Sequence, residues 1–246
     1  MKKYNEIDIV TNNELITFRT FFERLLELHR DCNREVYFSE IFMPFFRMCS
    51  TENMKIVPIF DDRACGPKPK DQTNQTKNQQ RMNIISAKKE NSKYVVPDYI
   101  YVPLDYSFNN PLKPTLMIET KSPTIILLEN ETYYYKDLKG LINNNNQLKA
   151  EIEACGHVIF TDGITWMFLE MKDGKIIESV DYPTIRLVNK FEPYYKTNRI
   201  LKKTETKKID LSCIGEGVCE VEAEPQEWET LKQRVNKLLT YISSQK

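Results

Sequence analysis

Tyr94-Val95-Val96-Pro97-Asp98-Tyr99-Ile100-Tyr101-Val102 and Thr115-Leu116-Met117-Ile118-Glu119-Thr120-Lys121 read as two strands separated by a Pro- and Asn-containing turn at residues 107–114. Side chains alternate along a strand, so Met117, Glu119 and Lys121 share one face while Leu116, Ile118 and Thr120 share the other. Both faces are apolar before the charges appear. That is the pattern of a central strand covered on both sides, where an unpaired carboxylate or ammonium is costly. Asp98 falls likewise on the face of Val96, Ile100 and Val102, and a carboxylate there calls for a cation. If the two strands are neighbours, Asp98 and Glu119 can converge on one divalent metal, and oxygen-only ligation favours Mg²⁺ or Mn²⁺ over zinc. Lys121, one pleat beyond Glu119, can then approach an attacking water or a scissile phosphate. The expected chemistry is metal-assisted phosphodiester hydrolysis.

Outward from these strands the chain alternates helices and strands. Leu15, Phe18, Phe21, Phe22, Leu25 and Leu26 predict an amphipathic helix over 14–30, and Val36, Phe38, Ile41, Phe42, Phe45 and Phe46 predict a heavily buried one over 34–49. Lys55-Ile56-Val57-Pro58-Ile59-Phe60 is strand-like. A helix over 137–155 carries Leu138, Leu141, Ile142, Leu148 and Ile152, and strands follow over 157–161, 165–171 and 175–180, with Asp162-Gly163 and Asp173-Gly174 as turns. The order predicts an α/β protein with a central mixed sheet flanked by helices. Trp228, Leu231, Val235, Leu238 and Ile242 repeat at steps of three and four and predict a C-terminal amphipathic helix. Its stripe suits packing on its own domain before a dimer seam.

The 246 residues balance 35 Lys and Arg against 35 Asp and Glu. This zero conceals local excesses. Residues 63–93, a long loop or mobile insertion, hold eight basic residues against two acidic ones; residues 190–208 hold seven against two; residues 209–229 hold seven acids and no base. Mean hydropathy is −0.52 and no apolar run approaches the roughly 20 residues of a spanning helix, so no membrane role is expected. The first ten residues lack an apolar signal core, which makes a cytoplasmic location the expectation. Six cysteines without a CxxC pair and only two histidines disfavour a zinc site or a disulfide framework.

Five (Asp/Glu)-x-Lys matches begin at Glu119, Asp137, Glu170, Asp173 and Glu205, and only the first lies on a strand that follows a Pro-Asp. Pro97-Asp98 with Glu119-Thr120-Lys121 resembles the signature of the PD-(D/E)XK nuclease superfamily. Residues 34–171 are similar to the nuclease domain of type I restriction R subunits and related restriction-endonuclease-like proteins. Arg34-Glu35 leading to Met43-Pro44-Phe45-Phe46, the helix segment Gln147-Leu148-Lys149-Ala150-Glu151, and Thr161-Asp162-Gly163 before Trp166-Met167-Phe168 fit the same ordered set. The resemblance implies a restriction-endonuclease-like domain over 1–190 with residues 63–93 inserted, followed by a charged connector and C-terminal helix over 191–246. It implies Asp98 and Glu119 as metal ligands, Lys121 as catalytic, a supporting acid on the first core helix, and Mg²⁺ or Mn²⁺ as cofactor. Glu35 is the first choice for that acid and Glu40 the alternative, since five residues turn a helix by roughly 140° and both cannot face one metal. Gln147 is expected to orient the metal site or contact substrate, or else to share a solvated face with Glu151. The long basic loop and the tail beyond residue 190 depart from the family pattern. The expected function is a metal-dependent endonuclease acting on nucleic acid, DNA before RNA, in a restriction or defence setting; the alternative is a nuclease-fold binding or regulatory subunit that does not cut. A homodimer or larger complex through the C-terminal helix is the third expectation.

Overall fold

The computed structural model describes residues 16–31, 38–59, 87–88, 94–107, 112–128, 132–136, 138–142, 145–187, 191–193, 206–209 and 226–245. Two helices come first, α1 (Phe18–Asp31) and α2 (Ser39–Cys49), followed by β1 (Met54–Pro58). Next are β2 (Ala87–Lys88), β3 (Tyr94–Val95), β4 (Tyr99–Pro103), β5 (Leu116–Thr120), β6 (Thr124–Leu128) and β7 (Thr132–Lys136). A 3₁₀ turn at Leu138–Leu141 leads to α3 (Asn146–Cys155), then β8 (His157–Thr161), β9 (Thr165–Lys172), β10 (Lys175–Glu178) and β11 (Ile185–Arg186). Short strands β12 (Phe191–Pro193) and β13 (Thr206–Ile209) precede the closing helix α4 (Gln226–Ser244).

The central sheet is open, mixed and seven-stranded, in the order β1-β4-β5-β8-β9-β10 with β11 also on β9. β10 and β11 succeed one another along the same edge of β9, since β8 takes its other edge. The β5–β8 pair is parallel and its neighbours are antiparallel. A parallel pair needs a crossover, and α3 supplies it. Alternation along the strands sorts their side chains into two cores. Tyr99, Tyr101, Leu116, Ile118, Ile159, Trp166 and Phe168 pack with α1, α2 and α4. Ile100, Val102, Met117, Val158, Phe160, Met167 and Leu169 pack with Leu148, Ala150 and Ile152 of α3. The α/β expectation and the doubly covered central strand both hold.

Two departures have physical causes. The strand expected over 94–102 is divided, because Pro97 brings no N–H to a ladder and the chain bends at Asp98. The helix expected over 137–155 is a 3₁₀ turn followed by a shorter helix: Asn145 ends the first piece and caps the second, its Oδ1 accepting from Gln147 N and Leu148 N at 3.1 Å. The C-terminal helix packs on its own domain, as its stripe suits, with Trp228 against Phe18, Phe21 and Phe45 and its Leu231, Val235, Leu238 and Ile242 buried. The stripe that could have formed a dimer seam is thus covered by α1 and α2.

The turn Thr161-Asp162-Gly163 is set by its own side chains. Asp162 Oδ1 accepts from Ile164 N at 3.0 Å and Thr165 N at 2.8 Å, and Gly163 has a positive φ of 86°. A Cβ on Gly163 would also meet Leu25 Cδ1 at 2.8 Å. A second, four-stranded sheet, β12-β13-β7-β6, begins three residues after Lys121. In it Lys207 stands opposite Tyr135 and Lys208 opposite Tyr134, so the basic connector is hydrogen-bonded to the tyrosine strand. Among the described residues, no helix is long and apolar enough to cross a membrane.

Candidate functional site

Tyr99 lies opposite Ile118 and Ile100 opposite Met117, so one further step of that register sets Asp98 beside Glu119. On the far side of β5, Glu119 lies opposite Phe160, and Lys121 N donates to Thr161 O at 2.8 Å. The site therefore forms at the carboxyl end of the parallel β5–β8 pair, where α/β sheets place ligands. Asp98 is fixed twice. Its carbonyl accepts Ile59 N at 2.7 Å, and its Oδ2 accepts both the backbone N and the Oγ1 of Thr120 at 2.7 Å. The carboxylate thus stands in for ladder bonds that the Pro97 break removes.

Since Ile100, Val102 and Met117 face α3, alternation turns Glu119 and Lys121 toward the same helix, and the Asp98 carboxylate, held at Thr120, is close enough to raise both Glu119 and Glu151. Lys121 Nζ donates to Glu119 Oε1 at 2.6 Å, with the lysine side chain 28% exposed and the glutamate 3%. The ammonium is the part of the pair that reaches solvent. α3 contributes Gln147, whose Nε2 donates to Glu151 Oε1 at 3.0 Å. Glu151 is fully buried, so the two residues do not form the solvated face that was one reading of their spacing. Glu119 Oε2 and Glu151 Oε2 are both buried without a hydrogen-bond partner among the described residues.

Three carboxylates around one ammonium cannot all ionise cheaply away from water. Burial raises the Asp98 carboxyl above its ordinary value against the pull of its Thr120 hydrogen bonds and of Lys121. Glu119 is raised well above its ordinary value by burial, then by the charges of Asp98 and Glu151. Burial pushes Glu151 up to about 8, opposed by its bond from Gln147. Such upward shifts in a group of facing carboxylates are characteristic of functional sites.

Asp98, Glu119 and Lys121 are brought together as their strand positions predict, and Gln147 joins them through Glu151. Glu40 is not brought there: it is exposed and paired with Arg24 at 2.7 Å, on a helix that covers the opposite face of the sheet. Glu35 and nearly all of the basic insertion 63–93 lie outside the described residues; the Ala87–Lys88 end of that insertion pairs with β3, and both short strands lie against α3. Glu151 is the residue that reading by motif passed over. Its signal is in the stripe Leu148, Glu151, Ile152, Cys155, a buried helix face with a carboxylate in it.

Among the described residues the donors are oxygen only, two of them are orphaned, and three carboxyls surround one ammonium. That set fits a hard divalent cation such as Mg²⁺ or Mn²⁺, which Asp98 and Glu119 could hold. Among the described residues, no three His, Cys, Asp or Glu side chains are gathered into a ready-made metal cage. His157 sits away from this group, beside Glu170 and the Tyr241 ring. Cys49 and Cys155 are free thiols whose burial pushes each up to about 12, as small buried hydrophobes rather than nucleophiles. No protein-family model, curated protein or solved structure matches this chain.

Proposed function

We propose that the protein is a metal-dependent nuclease with a restriction-endonuclease-like core, hydrolysing phosphodiester bonds in DNA before RNA in a restriction or defence setting. One observation carries the reading: Asp98 and Glu119 at the ends of adjacent strands, with Lys121 bonded to Glu119 and a further buried carboxyl, Glu151, close to both. The helix, antiparallel β1-β4-β5 and α3 crossover to parallel β8 suit the flanked central sheet that the sequence resemblance implies.

Asp98 and Glu119 would hold Mg²⁺ or Mn²⁺, an ion that supplies positive charge for a phosphodiester transition state and lowers the pKa of a bound water. Thr120, donating twice to Asp98 Oδ2, keeps that carboxylate oriented. Lys121 combines a stem fixed at the end of β5 with a partly exposed ammonium, which is what contact with a phosphate oxygen or an attacking water requires. Positive charge for the backbone of a nucleic acid is concentrated in residues 63–93, whose described end lies on the α3 side.

Incubating the purified protein with DNA and with RNA in Mg²⁺ or Mn²⁺, with EDTA and Lys121→Ala controls, tests the reading. Metal-dependent cleavage lost in the variant is expected; cleavage persisting unchanged in Lys121→Ala would sink it. The rival, a nuclease-fold module that binds or regulates without cutting, draws on the closed Lys121–Glu119 pair and the missing ready-made cage. It requires salt-sensitive binding with no hydrolysis under either metal.

A further inference from the structure

In the stripe of α3 that faces the sheet, Leu148, Ile152 and Cys155 belong to or pack against the core, and Glu151 shares their burial. A buried carboxylate on an apolar helix face destabilises the fold unless something satisfies it. Gln147 satisfies one oxygen, and the other has no hydrogen-bond partner among the described residues. Glu119, facing α3 from β5, leaves its Oε2 in the same condition. Two orphaned oxygens on facing elements point to a common ligand, and the ligand such oxygens take is a cation.

We propose that Glu151 is a third carboxylate of the divalent-cation site of Asp98 and Glu119, in the role that the family resemblance implies for Glu35 or Glu40, with Gln147 as the residue that positions it. The inference rests on the metal-dependent reading above and assigns it a ligand set. Position decides between Glu40 and Glu151: α2, which carries Glu40, packs on the opposite face of the sheet, whereas α3 packs on the face to which Glu119 turns. Charge agrees once binding has displaced the carboxyl protons: Asp98, Glu119 and Glu151 against Lys121 then leave an excess of two negative charges, which one divalent cation neutralises. Lys121 Nζ holds Glu119 Oε1, and a cation taken up by that carboxylate would free the ammonium for substrate.

The test is calorimetric titration of Mn²⁺ alone into the full chain at pH 8, with the Mn²⁺-induced rise in Tm as a second readout. Wild type is expected to bind, Glu151→Gln to bind at least about 10-fold more weakly and lose most of the Tm rise, and Glu40→Gln to bind as wild type. The metal-free Tm of Glu151→Gln should be no lower than that of wild type, because an isosteric amide relieves buried charge. Glu151→Leu, which completes the apolar stripe, supplies a second folded variant and must lose the Mn²⁺ response too. Wild-type affinity in either variant overturns the proposal, as does the absence of Mn²⁺ binding in wild type. Glu151-dependent Mn²⁺ binding in a chain that cuts neither DNA nor RNA defeats the nuclease reading and leaves this one standing. Cleavage with equal Mn²⁺ affinity in wild type and Glu151→Gln does the reverse.

Discussion

The two faces of the central sheet are made by the same strands and spend their burial differently. Toward α1, α2 and α4 the sheet presents Tyr99, Tyr101, Ile118, Trp166 and Phe168 to a core of interlocking rings: Phe45 lies 4.7 Å from Trp166 and 5.1 Å from Trp228 between centroids, and Phe21 touches both tryptophans. Toward α3 the same strands offer Ile100, Val102 and Met117 and then, at one end, Asp98, Glu119 and Lys121 against Glu151. The ring face is a stabilising core in which each large side chain finds an apolar neighbour. The α3 face accepts buried charge that a core built only for stability would exclude. Substitutions on the two faces should therefore separate activity from stability.

The largest effect is expected at Glu119. Glu119→Gln keeps the shape and removes the charge, and should lower metal-dependent cleavage by roughly 10³-fold while leaving Tm unchanged or raised. A variant that keeps its activity, or that loses activity only because it unfolds, would erase the distinction between the faces. Next comes Phe45→Ala, which empties the centre of the ring cluster and should cost about 3–5 kcal/mol in denaturant unfolding. Its cleavage at low temperature, where the chain stays folded, should remain near wild type. A cost below about 1 kcal/mol would mean that the ring face does not carry the stability assigned to it.

How far this was legible from the sequence follows the same division. Strand alternation alone placed Asp98, Glu119 and Lys121 on one side of a doubly covered strand, because a period of two leaves no choice of face. Helix periodicity is weaker evidence. It shows which residues of a helix are buried but not which side of the sheet the helix will cover, and this is why Glu40 was a reasonable candidate and lies elsewhere. Glu151 was visible as the i+4 neighbour of Gln147, yet that spacing describes a solvated pair as readily as a buried one; the apolar stripe through Leu148 and Ile152 was the better signal. The hairpin β6–β7 gave no alternating pattern to read, since Thr124-Ile125-Ile126-Leu127-Leu128 and Tyr133-Tyr134-Tyr135 are uniform runs. Its pairing with Thr206–Ile209 depends on a contact between distant segments that no local pattern announces.

A smaller effect should appear in pH. Glu151 has an ordinary value of 4.5 and is held near 8 in the fold, so below about 4.5 both folded and unfolded chains carry its proton and the group favours neither. As pH rises through this window the unfolded chain ionises freely while the folded one does not, and stability falls until the pH passes about 8. Asp98 and Glu119, also raised, add to the same trend. Metal-free protein should lose on the order of 3–4 kcal/mol between pH 5 and 8, and Glu151→Gln should flatten that slope. Mn²⁺ affinity should rise over the same range, since the ligands must shed protons to bind. A slope that steepens in the variant would place the titrating burden somewhere other than the α3 face.

The smallest effect is expected at Glu40, and it bears most directly on how the faces divide the work. Its pair with Arg24 joins α1 to α2, with side chains 40% and 51% exposed, so solvent screens most of the attraction. Glu40→Gln should change unfolding free energy by no more than about 0.5 kcal/mol, a value measurable by urea titration. Cleavage should stay within about twofold of wild type, because the residue lies on the helix layer that faces away from Asp98 and Glu119. A large loss of cleavage with stability intact would require α2 to reach around the edge of the sheet into the site. That outcome would return the helix acid to the position the sequence resemblance implied and make the acidic α3 stripe a structural feature.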